Sequence, residues 1–130
     1  MSMNDPLANA FSKIMNTERL GRGECIISPV SNIIRTLLKI LNERQLIGKF
    51  NELDDSRGGS IVVNLLGRVN KCGVIKPRYA IKKDDYEKFE KRYLPSKGFG
   101  VLIVSTSQGI MTNEEAKEKA LGGRLLAYCY

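Results

Sequence analysis

Three consecutive hydroxyl side chains, Ser105-Thr106-Ser107, follow the apolar run Val101-Leu102-Ile103-Val104 and lead into Gln108-Gly109. A buried strand here delivers three hydroxyls to one tight loop. Each donates one hydrogen bond and accepts others, so the loop suits phosphate oxygens, ribose 2′-hydroxyls and base edges. The same residue types also serve as ordinary turn formers whose hydroxyls bond the local backbone. A third option, Ser105 or Ser107 as a nucleophile, fails on composition. The chain has no histidine, which rules out a Ser-His-acid triad and removes the commonest general base and metal ligand. A lysine-activated serine would need Lys76 or another lysine buried beside it. Cys25, Cys72 and Cys129 are far apart and odd in number, which excludes a disulfide framework and a paired-cysteine metal knuckle. They read as small buried apolar residues in a reducing cytosol. No Gly-Lys-Ser/Thr phosphate loop occurs. No catalysis, cofactor, metal or small-molecule substrate is expected.

Charge points to an acidic partner. The chain of 130 residues carries a formal net charge of +7. Between Gly67 and Gly98, ten lysines and arginines stand against four acids, so this stretch holds +6 of that charge. Glu87 and Lys91 have helical i,i+4 spacing, and a solvated helix face accounts for part of the excess. It does not account for Lys71, Lys76, Arg78, Lys82 and Lys83, which lie outside that helix. Apolar content of 42% is that of a folded domain. No apolar run approaches the length of a transmembrane helix, and the amino terminus has no signal-peptide pattern.

The elements that would hold these groups can be read along the chain. Asp5-Pro6 is a cap followed by a good first helical residue, and Leu7, Ala10, Phe11, Ile14 and Met15 repeat at helical spacing. Residues 24–28 form a short strand, and Pro29 breaks it. Ser31 caps a second helix with Ile33, Leu37, Ile40, Leu41 and Arg44 along one face, widened by Ile34 and Leu38. Residues 47–53 and 60–66 read as a hairpin around a polar, Gly-rich turn. Composition then turns basic. Residues 69–75 are extended, and Lys76-Pro77-Arg78-Tyr79 is not helical. Asp84 or Asp85 caps a short helix carrying the packing residues Tyr86, Phe89 and Tyr93, ended by Pro95 and Gly98. Thr112-Asn113-Glu114-Glu115 has capping-box spacing for a helix to about Leu121, with Gly122 placed as a C-cap. In a final strand over 124–130, Leu125, Ala127 and Cys129 should share one side, and Leu126, Tyr128 and Tyr130 the other.

Residues 100–117, Gly-Val-Leu-Ile-Val-Ser-Thr-Ser-Gln-Gly-Ile-Met-Thr-Asn-Glu-Glu-Ala-Lys, resemble the signature of a primary rRNA-binding family, the eighth protein of the small ribosomal subunit. Met3-Asn4-Asp5-Pro6-Leu7-Ala8, with Ile14 and Asn16, resembles that family's amino terminus, and Leu121-Gly122-Gly123 with its short strand resembles the carboxyl terminus. Arg124 stands where many bacterial members carry glutamate, and the stretch 76–99 is longer than theirs. Both features look like the archaeal branch.

The resemblance implies an α+β fold of two small packed domains. The first, 1–66, would run helix-strand-helix-strand-strand; the second, 67–130, would be mostly β with short helices and bind rRNA. The implied function is structural: a cytoplasmic ribosomal protein that binds the central domain of small-subunit rRNA and aids assembly, beside neighbouring small-subunit proteins. A double-stranded-RNA-binding translational regulator is the alternative. By resemblance, Ser105, Thr106 and Ser107 are the main contacts, with Gln108 beside them and Gly109 shaping the loop. Gly122 and Gly123 would let backbone approach the RNA, and Lys76, Arg78, Lys82, Lys83 and Arg124 would neutralise phosphates.

Overall fold

Pro6 opens the first helix, α1 (Pro6–Arg19), which buries the stripe Leu7, Ala10, Phe11 and Ile14. The computed structural model describes residues 6–28, 30–53, 59–96 and 99–130. The expected cap Asp5, the break at Pro29, the turn over 54–58, Lys97 and Gly98 lie outside these residues. The chain divides into two compact units between Lys71 and Cys72. Residues 67–71 thus group with the first unit, where the Val69 N–H donates to Glu18 Oε2 at 3.2 Å.

The first unit continues through β1 (Glu24–Ile27), α2 (Asn32–Glu43), β2 (Ile47–Leu53) and β3 (Ser60–Leu65). This is the helix-strand-helix-strand-strand order read from the sequence. The strands form an antiparallel sheet in the order β1-β3-β2. The cap of α2 is as expected, with the Ser31 hydroxyl accepting from the Ile34 N–H at 3.4 Å; of the expected stripe Ile34, Leu37, Leu38, Ile40 and Leu41 are buried, while Ile33 is half-buried. Arg44 is the residue that ends the helix. Exposed Arg35 grips Glu52 through both carboxylate oxygens, at 3.0 and 2.7 Å, tying α2 to β2.

The second unit holds β4 (Cys72–Val74), β5 (Ala80–Ile81), α3 (Tyr86–Tyr93), β6 (Val101–Thr106), β7 (Gly109–Thr112), α4 (Asn113–Glu118) and β8 (Gly123–Cys129). All pairings are antiparallel. β8 is central, with β6 on one side, β4 and β5 on the other, and β7 beyond β6. One face carries α3 and α4. There Tyr86, Phe89, Leu94 and Ala116 pack with Leu102, Val104, Met111 and Leu125. The basic stretch 76–99 therefore supplies core side chains, and its aromatic stripe is packing as expected.

Four local expectations change. The hydroxyl run does not sit wholly in a loop, because β6 extends through Ser105 and Thr106. Asp85 does not cap α3 with its side chain; its Oδ2 instead accepts from the Lys82 N–H at 3.3 Å. Helix α4 stops at Glu118, and Ala120, at φ 56°, takes the left-handed turn that Gly122 was expected to make. In β8 the register slips opposite Ile103/Val104. Leu125 consequently faces the helices, while Ala127 and Cys129 share the other face, so simple alternation misplaces Leu125.

A buried polar knot ties α3, β6 and α4 together. Asn113, 3% exposed, accepts the Leu102 N–H at 3.1 Å on its Oδ1 and donates from Nδ2 to Glu90. Lys117 reaches the same carboxylate at 2.7 Å.

Candidate nucleic-acid interface

β6 and β7 make a hairpin with Ser107-Gln108 as its turn and Thr106↔Gly109 as its last pair. The Thr106 hydroxyl donates to the Gly109 carbonyl at 2.8 Å and accepts from the Gln108 N–H at 3.1 Å. The middle hydroxyl of the three is thereby committed to the turn, as Thr side chains often are. Gly109 leaves the turn at φ +116°, a conformation other residues adopt only with strain. Ser105 and Ser107 differ from Thr106. Among the described residues neither of their hydroxyls has a hydrogen-bond partner, and Ser107 and Gln108 are exposed.

Strand alternation sends Val104 to the helix-covered face and Ser105 to the opposite one. Ser105 lies across from Ile110 on β7 and from Arg124 on β8, and Arg124 lies across from Ala80 on β5. A row Ala80, Arg124, Ser105, Ile110 thus crosses four strands. Ala80 and Arg124 are exposed, Ser105 and Ile110 half-buried. Arg124 Nη1 donates to the Arg78 carbonyl at 3.2 Å, and the Leu125 N–H donates to the Tyr79 carbonyl at 3.0 Å. These bonds hold the segment before β5 against β8 and fix where the guanidinium stands.

The glycine pair has a packing reason of its own. A Cβ on Gly123 would stand 2.1 Å from the Ser105 carbonyl oxygen, and one on Gly122 would stand 2.6 Å from that of Ile81. The space each missing side chain leaves is filled by the chain's own backbone. β8 enters the sheet between β6 and β5, and only glycine fits at that entry.

Most of the described cations from residue 78 onward fall into two groups. Lys88 lies over the Phe89 ring at 5.6 Å, Arg92 over Tyr79 and Tyr93 at 5.3 and 5.6 Å, and Lys91 beside Glu87 at 3.7 Å. Those belong to the surface of α3. Arg78 and Lys82 flank the β5 residues that pair with Arg124 and Gly123, with Lys83 adjoining, and all three are exposed. Lys76, also exposed, lies further off toward β4. The structure therefore gathers Ser105, Ser107, Gln108, Arg124, Arg78, Lys82 and Lys83 at one end of the sheet. Sequence reading missed Ala80 and Ile110, the outer members of the row. A two-residue strand such as β5 carries no periodicity, so nothing in the sequence marks Ala80.

Hydroxyls with no partner among the described residues, a guanidinium in register with one of them and lysines along the adjoining edge are groups of the kinds that nucleic-acid-binding proteins use. A family model described as Ribosomal protein S8 matches residues 5–130, and the chain belongs to that family. It is a small-subunit ribosomal protein that binds rRNA and takes its place in the ribosome with other ribosomal proteins. The family is a structural RNA-binding one and not an enzyme family. Among the described residues no helix is long and apolar enough to cross a membrane, and no group of three or more His, Cys, Asp or Glu could hold a metal ion.

Proposed function

We propose that this protein binds an irregular internal-loop stem in the central domain of small-subunit rRNA, early in assembly of the cytoplasmic ribosome, and that the carboxyl-terminal unit makes the principal contact. The observation that carries this reading is the register of Ser105 with Arg124 on adjoining strands. A hydroxyl with no partner among the described residues then stands beside a cation on adjoining strands. A-form RNA offers a shallow minor groove lined with 2′-hydroxyls, and its deep major groove is closed to side chains. Short serine side chains permit an approach that lysine or glutamine would hold off. Ser105 and Ser107 bond 2′-hydroxyls and base edges, Gln108 reaches from the turn, and Thr106 and Gly109 keep the hairpin in shape. Gly122 and Gly123 keep the strands close enough for the row to be continuous. Arg124, Arg78, Lys82, Lys83 and Lys76 meet phosphates on either side. Arg124 and the long stretch 76–99 support the reading of an archaeal-type member.

A hydroxyl-radical footprint on naked small-subunit rRNA tests the reading. Protection confined to one central-domain stem is the expected result. Protection spread over many helices, or none, would overturn it and favour a general duplex-binding module.

A further inference from the structure

We propose that Cys72 and Cys129 are a latent disulfide pair, a site at which small-molecule disulfides oxidise this protein. The two residues are far apart in sequence but directly opposite each other on β4 and β8. The hydrogen-bond alternation of the ladder says which kind of opposite pair they are. The Ile75 N–H donates to the Leu126 carbonyl at 2.9 Å. That bond brackets Val74 and Ala127 as a non-hydrogen-bonded pair, makes Gly73 and Tyr128 the hydrogen-bonded pair, and returns Cys72 and Cys129 to the non-hydrogen-bonded kind. Side chains come closest at such positions, with Cα atoms about 4.5 Å apart, inside the range of roughly 4.4–6.8 Å that a disulfide spans. Both side chains lie on the same face, since opposite residues of a ladder always do.

Burial sets the order of events. Cys129 is 0% exposed and Cys72 8% exposed, on a strand that among the described residues pairs only with β8. Cys72 is therefore the sulfur that meets the oxidant, after local opening of β4. Its thiolate attacks one sulfur of a disulfide such as oxidised glutathione, forming a mixed disulfide and expelling a thiolate that takes up the Cys72 proton. Cys129 thiolate then attacks the Cys72 sulfur and expels the second thiol, which takes up the Cys129 proton. Two protein thiols are oxidised and one small disulfide is reduced to two thiols. Cys25 stays out of this chemistry. It lies in the other unit, opposite Val63, and burial pushes its thiol above the usual range. The bond would tie the first strand of the second unit to its last, closing almost the whole unit into one covalent loop and restricting its unfolded chain.

The full-length protein, incubated with oxidised glutathione and then denatured, tests this by free-thiol count, intact mass and proteolytic mapping. The expected result is a fall from the three thiols of the sequence to one, the loss of two hydrogen atoms in mass and a linked pair of peptides bearing Cys72 and Cys129. The thermal midpoint should rise by about 5 °C or more and return on addition of dithiothreitol. Cys25→Ala should keep both effects, and Cys129→Val should lose both. Three thiols still free, a retained glutathione adduct or a bond to Cys25 would overturn the proposal. So would a midpoint that fails to rise, because a bond made in the native register cannot leave the unfolded chain unconstrained. The wild-type arms decide the matter even if a variant does not fold.

Discussion

Ser105, Thr106 and Ser107 look alike in sequence and do different work. Thr106 closes the turn through the Gly109 carbonyl and the Gln108 N–H, while its neighbours have no hydroxyl partner among the described residues. The difference separates binding from stability. Ser105→Ala with Ser107→Ala should leave urea-unfolding stability within about 0.5 kcal/mol, since neither hydroxyl holds the fold. The same pair should weaken binding to the cognate stem by about tenfold or more in filter binding, and weaken binding to a plain duplex less. Thr106→Val should do the reverse, losing about 1 kcal/mol of stability through the turn. Equal losses on both RNAs for the serine pair would remove the case for a shape-reading surface. Composition could show that hydroxyls cluster here. It could not show which one the turn consumes, because that depends on where β6 ends, and a strand continuing through Ser105-Thr106 looks in sequence like the start of a loop.

At the scale of elements, the apolar stripes of α1 and α2 were legible because each buries one side of a helix, and the apolar run of β6 because Val101 to Val104 are all buried. What was not legible is how strands meet. β5 is two residues long, and the slip in β8 turns Leu125 to the opposite face from Ala127. Neither leaves a periodic trace. For Gly122-Gly123 the sequence suggests a helix end and RNA approach, and the structure adds a crowding against Ile81 and Ser105 that no sequence pattern marks. Gly123→Ala should therefore be severe, about 3 kcal/mol or more by denaturant melt, because backbone and not a flexible side chain stands 2.1 Å from the new Cβ. Gly109→Ala meets nothing within 4 Å and suffers only its backbone conformation, about 1–3 kcal/mol, so it should be the milder change. Asn113→Ala gives the matching test for the polar knot. It strips the acceptor from the buried Leu102 N–H and the donor from Glu90, and a loss of about 2–3 kcal/mol should follow. A loss below about 1 kcal/mol would mean that water replaces the side chain there.

For the whole molecule, net charge identified the class of partner but not the residues that meet it. A +6 stretch reads as one basic patch, yet the fold sends part of it to the rings and acids of α3 and part to the edge beside Arg124. Only the second group lies along the row that carries Ser105. Salt dependence distinguishes the two. Each cation that displaces counterions from a phosphate adds roughly 0.7–0.9 to the slope of log affinity against log salt concentration. Arg78→Gln, Lys82→Gln and Lys83→Gln together should lower that slope by about two for the cognate stem. Lys88→Gln removes a charge of the same kind from the same stretch, but from a side chain lying over Phe89. Its slope should match the wild type. If both variants lower the slope alike per charge removed, the patch acts as a diffuse field and the sorting by fold has no bearing on binding. If only the first does, the phosphates run along the β5 edge, and the hairpin carrying Ser105 and Ser107 faces the groove between them.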